Sequence, residues 1–276
     1  MVSEKTPEQP SRLVKIAQIA RAFAAEPLVV GRALPGEYRQ RHGHAQYAES
    51  DIDAAWYEHL HQLLGVPWPC PMRDRLAEIL ADISDLLIAQ GLGTGRRTYG
   101  WYSDAESSLC HAVWCAAVHN KPEVVVETGV AHGVTSRIIL EALLERGEGR
   151  LWSIDLPHPL DRRLHSQTGA AVTEPCRERW SYLKGTSRQR MPKLMTDVGH
   201  VDMFIHDSVH TATNALFEME QAASVMPAGG VMLVDDVGAH DGFATFARRH
   251  RDFKTIVCPA EDGMGEFGIA VRMLAG

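Results

Sequence analysis

Val124-Val-Val-Glu127-Thr-Gly129-Val-Ala-His-Gly133-Val-Thr135 decides how this chain is read. Three β-branched residues in a row suit a strand covered on both faces, as in a parallel sheet. Gly129 and Gly133 then allow a tight turn and a close backbone approach that a Cβ would block. The helix expected over 135–146 has one apolar face, from Ile138, Ile139, Leu143 and Leu144. A strand, a glycine turn and a helix start, in that order, form the pocket of an adenosine cofactor.

The glycine spacing bears on which cofactor. A dinucleotide fingerprint needs Gly-x-Gly-x-x-Gly, whose middle glycine lets the pyrophosphate rest on the backbone. Here Ala131 stands in that place and the spacing is Gly129-x-x-x-Gly133. The next strand, Leu151-Trp-Ser-Ile-Asp155, ends in an acid 22 positions (155 − 133) beyond Gly133. An acid at that tip is placed to accept hydrogen bonds from a ribose diol. Asp155 in this role serves nicotinamide and adenosylmethionine cofactors alike.

Composition sets the outer limits. The 276 residues accommodate one large α/β domain and an extension. A net charge of −7 and the lack of a dense basic run argue against nucleic acid or anionic membrane as a main partner. The short cluster Arg248-Arg249-His250-Arg251 reads as a solvated helix end. The five cysteines (Cys70, Cys110, Cys115, Cys176, Cys258) are scattered and include no Cys-x-x-Cys pair. They read as reduced thiols of a cytoplasmic protein, not as a disulfide framework or a zinc site. No stretch resembles a signal peptide or spans a bilayer, so a soluble, intracellular protein is expected.

Residues 1–12 are polar and expected to fray, and helical pieces are expected near Val14–Ala25 and Asp51–Leu64. Pro67-Trp68-Pro69-Cys70-Pro71 breaks the chain. An amphipathic helix follows, built on Leu76, Ile79, Leu80, Ile83, Leu86 and Leu87 and stopping near Gly91. The run Gly91-Leu-Gly-Thr-Gly95 reads as a loop, and a helix near Glu106–His119 leads into the first strand. From there strands are expected at 123–129, 151–155, 181–185, 201–207, 229–236, 253–258 and 264–273. Helices are expected at 135–146, 211–226 and 241–250, with a short one before Trp180. Alternating strands and helices imply a parallel sheet with right-handed crossovers, closed by an antiparallel hairpin of the last two strands.

Val201-Asp-Met-Phe-Ile-His206-Asp207-Ser208-Val-His210-Thr211 delivers His206, Asp207, Ser208 and His210 to the carboxyl edge of the sheet, where open α/β folds bind ligands. Gly229-Gly-Val-Met-Leu-Val-Asp235-Asp236-Val237 adds two acids from the neighbouring strand. Clustered carboxylates require protons or cations to offset their repulsion, and hard oxygen ligands suit magnesium or calcium. Adjacent strand-end acids also serve as caps, and along an ideal strand only one of Asp235 and Asp236 points inward.

Taken together, Glu127-Thr-Gly129-Val-Ala-His-Gly133, Ile154-Asp155-Leu-Pro157, Ile205-His-Asp207-Ser-Val-His210-Thr and Gly229-Gly…Asp235-Asp236-Val resemble the class I S-adenosylmethionine-dependent methyltransferases. The similarity is to the small-molecule and natural-product O-methyltransferases with an Ile-His-Asp-Ser-x-His-Thr motif, and covers about Trp101 to the C-terminus. It implies a Rossmann-like, seven-stranded, mostly parallel sheet with a C-terminal antiparallel hairpin over 101–276. Residues 1–100 are then a helical extension or lid, with Trp68, Trp101 and Tyr102 as candidates to line an acceptor pocket.

The resemblance also implies S-adenosylmethionine at Glu127, Thr128, Gly129, Val130, Ala131, Gly133 and Thr135, with Asp155 at the ribose and Thr186 and Asp207 nearby. It assigns His210 and Asp207 to chemistry, and a possible Mg2+ to Asp207, Asp235 and Asp236. Two positions depart from the pattern. The Gly185-Thr186-Ser187 turn lacks the acid often found beside the adenine, and Val237 stands where the metal-dependent group often has Asn.

The function expected is O-methylation of a small polar metabolite in secondary metabolism, by a chain able to form a homo-oligomer. A nicotinamide-dependent oxidoreductase and a non-catalytic assembly partner with a cofactor fold are the alternatives.

Overall fold

The computed structural model describes residues 47–95, 98–100, 102–157, 161–263 and 265–273. The expected fraying of 1–12 and the helical piece at Val14–Ala25 lie outside the described residues, as does Trp101. Seven strands form one sheet: β1 Val124–Thr128, β2 Arg150–Asp155, β3 Trp180–Lys184, β4 Met203–His206, β5 Val231–Val234, β6 Phe253–Pro259 and β7 Glu266–Arg272. Their spatial order is β3-β2-β1-β4-β5-β7-β6. The first five run parallel, while β7 pairs antiparallel with both β5 and β6. This is the parallel sheet closed by an antiparallel hairpin that the alternation of elements implied, and the Rossmann-like architecture that the resemblance implied.

The chain leaves β1 toward β2 and β3, then crosses back to place β4 on the other side of β1. That reversal opens a crevice at the carboxyl ends of β1 and β4, where doubly wound sheets bind ligands. Every residue of β1, β4 and β5 is buried. Alternation sends successive side chains to opposite faces. Val125, Met203, Ile205, Val231 and Leu233 join one apolar core, and Val124, Val126, Phe204, Met232 and Val234 the other. Each fully buried aliphatic side chain of this kind contributes roughly 1.5–3 kcal/mol.

The first core is covered by helices α1 Trp56–Leu64, α2 Arg73–Ala89, α3 Ser107–Asn120 and α4 Val134–Arg146. The described part of the expected extension therefore shares the main core: Trp56, Leu60, Leu76, Ile79, Ile83 and Leu87 pack with α3, α4 and the sheet. On α2 the apolar face is narrower than its six leucines and isoleucines suggested. Leu76, Ile79, Ile83 and Leu87 are buried, and Leu80 and Leu86 only partly so.

After a short helix α5 (Glu174–Arg177), the opposite face carries α6 Ser187–Val198, α7 Ala212–Ala223 and α8 Gly242–Arg249. Helix α6 was not anticipated from the sequence. It is polar and has Pro192 inside it, which ordinarily breaks a helix. It forms because Met191, Leu194 and Met195 bury one face and the Gln189 side chain accepts the Thr186 backbone N–H at 3.2 Å. Among the described residues, no helix is long and apolar enough to cross a membrane.

Candidate active site

The β1–α4 turn is built around close backbone contacts. Gly129 takes φ +88°, and a Cβ added there would lie 1.8 Å from the Asp207 carbonyl oxygen. Gly133 takes φ +83° and caps α4. Between them Ala131 sits at φ +46°, a left-handed conformation that side chains other than glycine adopt only under constraint. The constraint is visible: the carbonyls of Ala131 and His132 accept the backbone N–H groups of Gly169 and Ala171, both at 2.9 Å.

Glu127 is completely buried beneath this turn. Its carboxylate accepts hydroxyl hydrogen bonds from Thr135, Ser136 and Ser153, each at 2.6 Å. The Trp180 indole N–H donates to Ser153 in turn. Glu127 thus ties β1 to α4 and β2, and its oxygens face hydroxyls instead of lying open to a ligand. Thr128 points to the other face of the strand and donates to Glu218 at 2.6 Å.

Asp155 ends β2 as expected, and among the described residues its carboxylate takes the Leu156 backbone N–H. Burial, reinforced by the charges of Glu127 and Asp207, pushes Asp155 up to about 7. Burial likewise pushes Glu127 up to about 7, against its three hydroxyl donors and with help from Asp207. Three acids, at the ends of β1, β2 and just past β4, therefore converge on the Gly129 turn. A cationic ligand relieves their repulsion, and an anionic pyrophosphate aggravates it. S-adenosylmethionine, with its sulfonium and ammonium, fits this cradle, and Asp155 has acceptor capacity left for a diol. Thr186 lies at the start of α6, where its backbone N–H is held by Gln189.

A second layer lies past β4 and β5. Glu218, fully buried on α7, accepts from Thr128, from His206 Nδ1 at 2.6 Å, and from Ser208 and Asn214, both at 2.8 Å. Burial opposes its charge, yet His206 and these donors hold it below the usual carboxylate range.

His210 Nδ1 meets Asp236 Oδ2 at 2.5 Å, and its Nε2 lies 3.4 Å from Asp207 Oδ1. The second approach is close enough for charge attraction but is not aligned as a hydrogen bond, so among the described residues Nε2 has no hydrogen-bond partner. Burial works against a charge on His210, but Asp236 and Asp207 outweigh it and raise the imidazole well above its ordinary value. Asp236 is lowered by the same pairing, whereas burial and the neighbouring Asp207 raise Asp235. Among the described residues the Nε2 atoms of His206 and His240 are also buried without partners, and the His206 ring lies 5.6 Å from His210 and 6.4 Å from His240.

The metal ligands expected were Asp207, Asp235 and Asp236. The structure brings together Asp207, His210 and Asp235, whose ligand atoms lie within 4.8 Å of one another. Asp236 is turned to His210 instead, by a left-handed backbone at φ +50°. Two carboxylates and one imidazole suit a divalent ion with open positions.

Sequence reasoning missed a strap that leans on the glycine turn. Asp104 accepts from the Gly95 N–H at 3.1 Å and the Thr98 hydroxyl at 2.9 Å, and lies 3.2 Å from Nδ1 of the buried His132. Tyr99 packs edge-on against His132 and bonds Thr168 at 2.6 Å. A lone Asp and Tyr in an irregular segment carry no periodic signal, so only the fold reveals them. Of the aromatics considered for an acceptor pocket, Trp68 packs on Tyr57 and His61 of α1, and the Tyr102 backbone pairs with Tyr99.

Residues 126–237, from β1 through the turn after β5, match the model of the methyltransferase domain family. No curated protein matches the chain. Among solved structures, an O-methyltransferase from Bacillus cereus in complex with SAH is similar at 14% identity and TM-score 0.52, over 79% of this chain and 97% of that one. The O-methyltransferase TomG from Streptomyces achromogenes, involved in tomaymycin synthesis and solved with SAM, is similar at 16% identity and TM-score 0.54, over 83% and 100%. The fold is that of the class I methyltransferases.

Proposed function

We propose that this chain is an S-adenosylmethionine-dependent methyltransferase that methylates an oxygen of a small polar metabolite in secondary metabolism. The observation that carries the reading is that Asp155 and Asp207 flank the Gly129 turn, with the buried Glu127 beneath it, an acidic setting that matches a cationic cofactor and disfavours a nicotinamide dinucleotide. The methyltransferase-domain match over 126–237 and the SAM and SAH found in similar folds support it.

The cofactor supplies an activated methyl group on a sulfonium sulfur. The protein's share is alignment and proton removal. Asp155 accepts from the ribose hydroxyls, while the Gly129–Gly133 backbone shapes the wall against which the cofactor lies. His210, oriented through Nδ1–H to Asp236, receives the acceptor hydroxyl proton at Nε2 as the oxygen attacks the methyl carbon. S-adenosylmethionine, when bound, would supply the methyl group, its sulfur keeping the electron pair of the carbon–sulfur bond. His210 must enter this step neutral. A second reading rests on the Asp207–His210–Asp235 cluster, which would hold a divalent ion and lower the hydroxyl's pKa.

Calorimetric titration with S-adenosylmethionine, S-adenosylhomocysteine and NAD separates the classes. Binding of the first two supports the proposal, binding of NAD alone overturns it, and binding of none favours a non-catalytic partner. Asp155→Ala should weaken S-adenosylmethionine by roughly 1–3 kcal/mol, the cost of leaving buried hydroxyls unpaired.

A further inference from the structure

Two of the five cysteines, Cys70 and Cys115, come together in the fold beside two histidines. His61 lies on α1, Cys70 in the proline-rich turn that follows it, and Cys115 and His119 one helical turn apart on α3. The sulfur of Cys115 lies 2.9 Å from His61 Nε2, and that of Cys70 lies 3.4 Å from His119 Nε2. One ligand atom from each of the four falls within 4.8 Å of all the others. His61 and Cys115 are fully buried and Cys70 nearly so.

We propose that His61, Cys70, Cys115 and His119 form a structural zinc site that staples α1 and the proline-rich turn to α3. Tetrahedral zinc with bonds of about 2.3 Å to sulfur and 2.0–2.1 Å to nitrogen sets its four ligand atoms about 3.3–3.8 Å apart, and the cluster closes to that size with small side-chain adjustments. His61 supplies an independent observation. Its Nδ1 lies 2.5 Å from the Pro67 carbonyl, so Nδ1 carries the hydrogen and the Nε2 lone pair faces the cluster. A backbone carbonyl holding the far nitrogen is the usual support of a metal-bound histidine.

Charge agrees as well. Two thiolates balance Zn2+ and two neutral imidazoles add nothing, so the loaded site is neutral in its apolar surroundings. Each thiol gives up one proton on binding, and two protons are released per ion. With all four positions taken by protein, the ion has no open place for substrate and its role is stability. The sequence signal was Cys115-x-x-x-His119 on a helix, paired with His61-x8-Cys70 across a turn. Neither half resembles a Cys-x-x-Cys knuckle.

The test uses the full chain, stripped of metal under reducing conditions and titrated with Co2+. The expected result is one equivalent bound, with the strong visible bands of a tetrahedral ion and a thiolate-to-cobalt charge-transfer band, all displaced by Zn2+. The oxygen-rich Asp207 cluster cannot give that charge-transfer band. Zinc should raise the unfolding temperature by about 5–10 °C at saturation. Cys115→Ser and His119→Ala should lose the band, and Cys258→Ser, buried elsewhere, should keep it. The wild-type spectrum decides the matter even if a cluster variant fails to fold. Absence of the charge-transfer band in the fully reduced protein at saturating Co2+ overturns the site, and a Cys70–Cys115 disulfide in the protein as purified overturns it too. Neither outcome touches the cofactor reading, which the calorimetry tests separately.

Discussion

The His210 imidazole and the Asp236 carboxylate form a 2.5 Å pair in which each fixes the other's state: Asp236 raises His210, and His210 lowers Asp236. Asp236 reaches this position only by adopting a left-handed backbone, at a conformational cost of about 1–3 kcal/mol. Asp236→Asn keeps the shape and removes the charge. With Asp236 gone, burial dominates and the imidazole pKa falls. Activity that depends on neutral His210 then extends to lower pH, while its maximal rate drops by about tenfold or more because the ring loses its orientation. An NMR titration of the His210 ring in chelator-treated protein checks the shift, and the pH–rate profile checks the loss. A profile that stays in place removes His210 as the base. Activity abolished by chelator and restored by magnesium assigns the chemistry to the metal reading instead.

Gly129 should be the least replaceable glycine of the site. Gly129→Ala combines a left-handed φ with a Cβ placed 1.8 Å from backbone, which no rotamer can relieve. The β4–α7 turn carrying Asp207 would have to move. Gly199, at the end of α6, also has a positive φ but nothing within 4 Å of the added carbon. Gly199→Ala should cost about 1–2 kcal/mol. Gly129→Ala should cost clearly more and weaken S-adenosylmethionine at least tenfold. Equal melting temperatures for the two variants would show that the turn tolerates the shift.

Much of this was legible in the sequence because it is periodic or local. The β-branched run at Val124–Val126, the glycines at 129 and 133 and the strand ending at Asp155 each carry their own signal. Register then follows, since a parallel sheet brings every strand's carboxyl end to one edge. The partners on that edge were less legible. Glu127 is an acid before a glycine turn, and only the fold shows three hydroxyls from α4 and β2 closing around it. Glu218 sits in an ordinary amphipathic helix, and its four donors come from β1, β4, the following turn and its own helix. Asp236 and Asp235 are neighbours in sequence, and a single left-handed residue sends them to different tasks. The cluster of His61, Cys70, Cys115 and His119 needs α1 and α3 to be packed together before it exists.

Glu218 accepts from four side chains, and removing it should be costly. Glu218→Ala leaves Thr128, His206, Ser208 and Asn214 without their shared acceptor in a buried space. The expected loss is roughly 3–5 kcal/mol, the range for breaking a buried charged pair from one side. Its folded pKa is depressed, so its contribution is present above its unfolded value near 4.5 and is lost as pH falls through the lower folded value. Denaturant unfolding at pH 7 and at pH 4 measures both effects. A variant as stable as wild type at pH 7 would show that water replaces the carboxylate without penalty.

Glu127 should give the opposite pH dependence. Its pKa rises from 4.5 to about 7 on folding, so the folded state holds a proton that the unfolded chain releases. That contribution is complete below about pH 4.5 and is lost as pH rises through 7. A shift of this size corresponds to roughly 3 kcal/mol across the window. Asp155, raised from 3.8 to about 7, acts in the same direction. The cofactor-free protein should therefore be less stable at pH 8 than at pH 5.5. Glu127→Gln keeps a neutral, hydrogen-bonding group among Thr135, Ser136 and Ser153, whose hydroxyls can turn to accept from it. Its stability should change less between the two pH values than that of wild type, with the variant gaining at pH 8. Saturating S-adenosylmethionine, by placing positive charge beside the acids, should flatten the wild-type slope as well. Urea midpoints at the two pH values, for wild type with and without cofactor and for Glu127→Gln without it, give the six numbers needed. A slope identical in wild type and Glu127→Gln would mean that Glu127 is ionised in the folded protein across the whole range, its three hydroxyl donors having outweighed its burial.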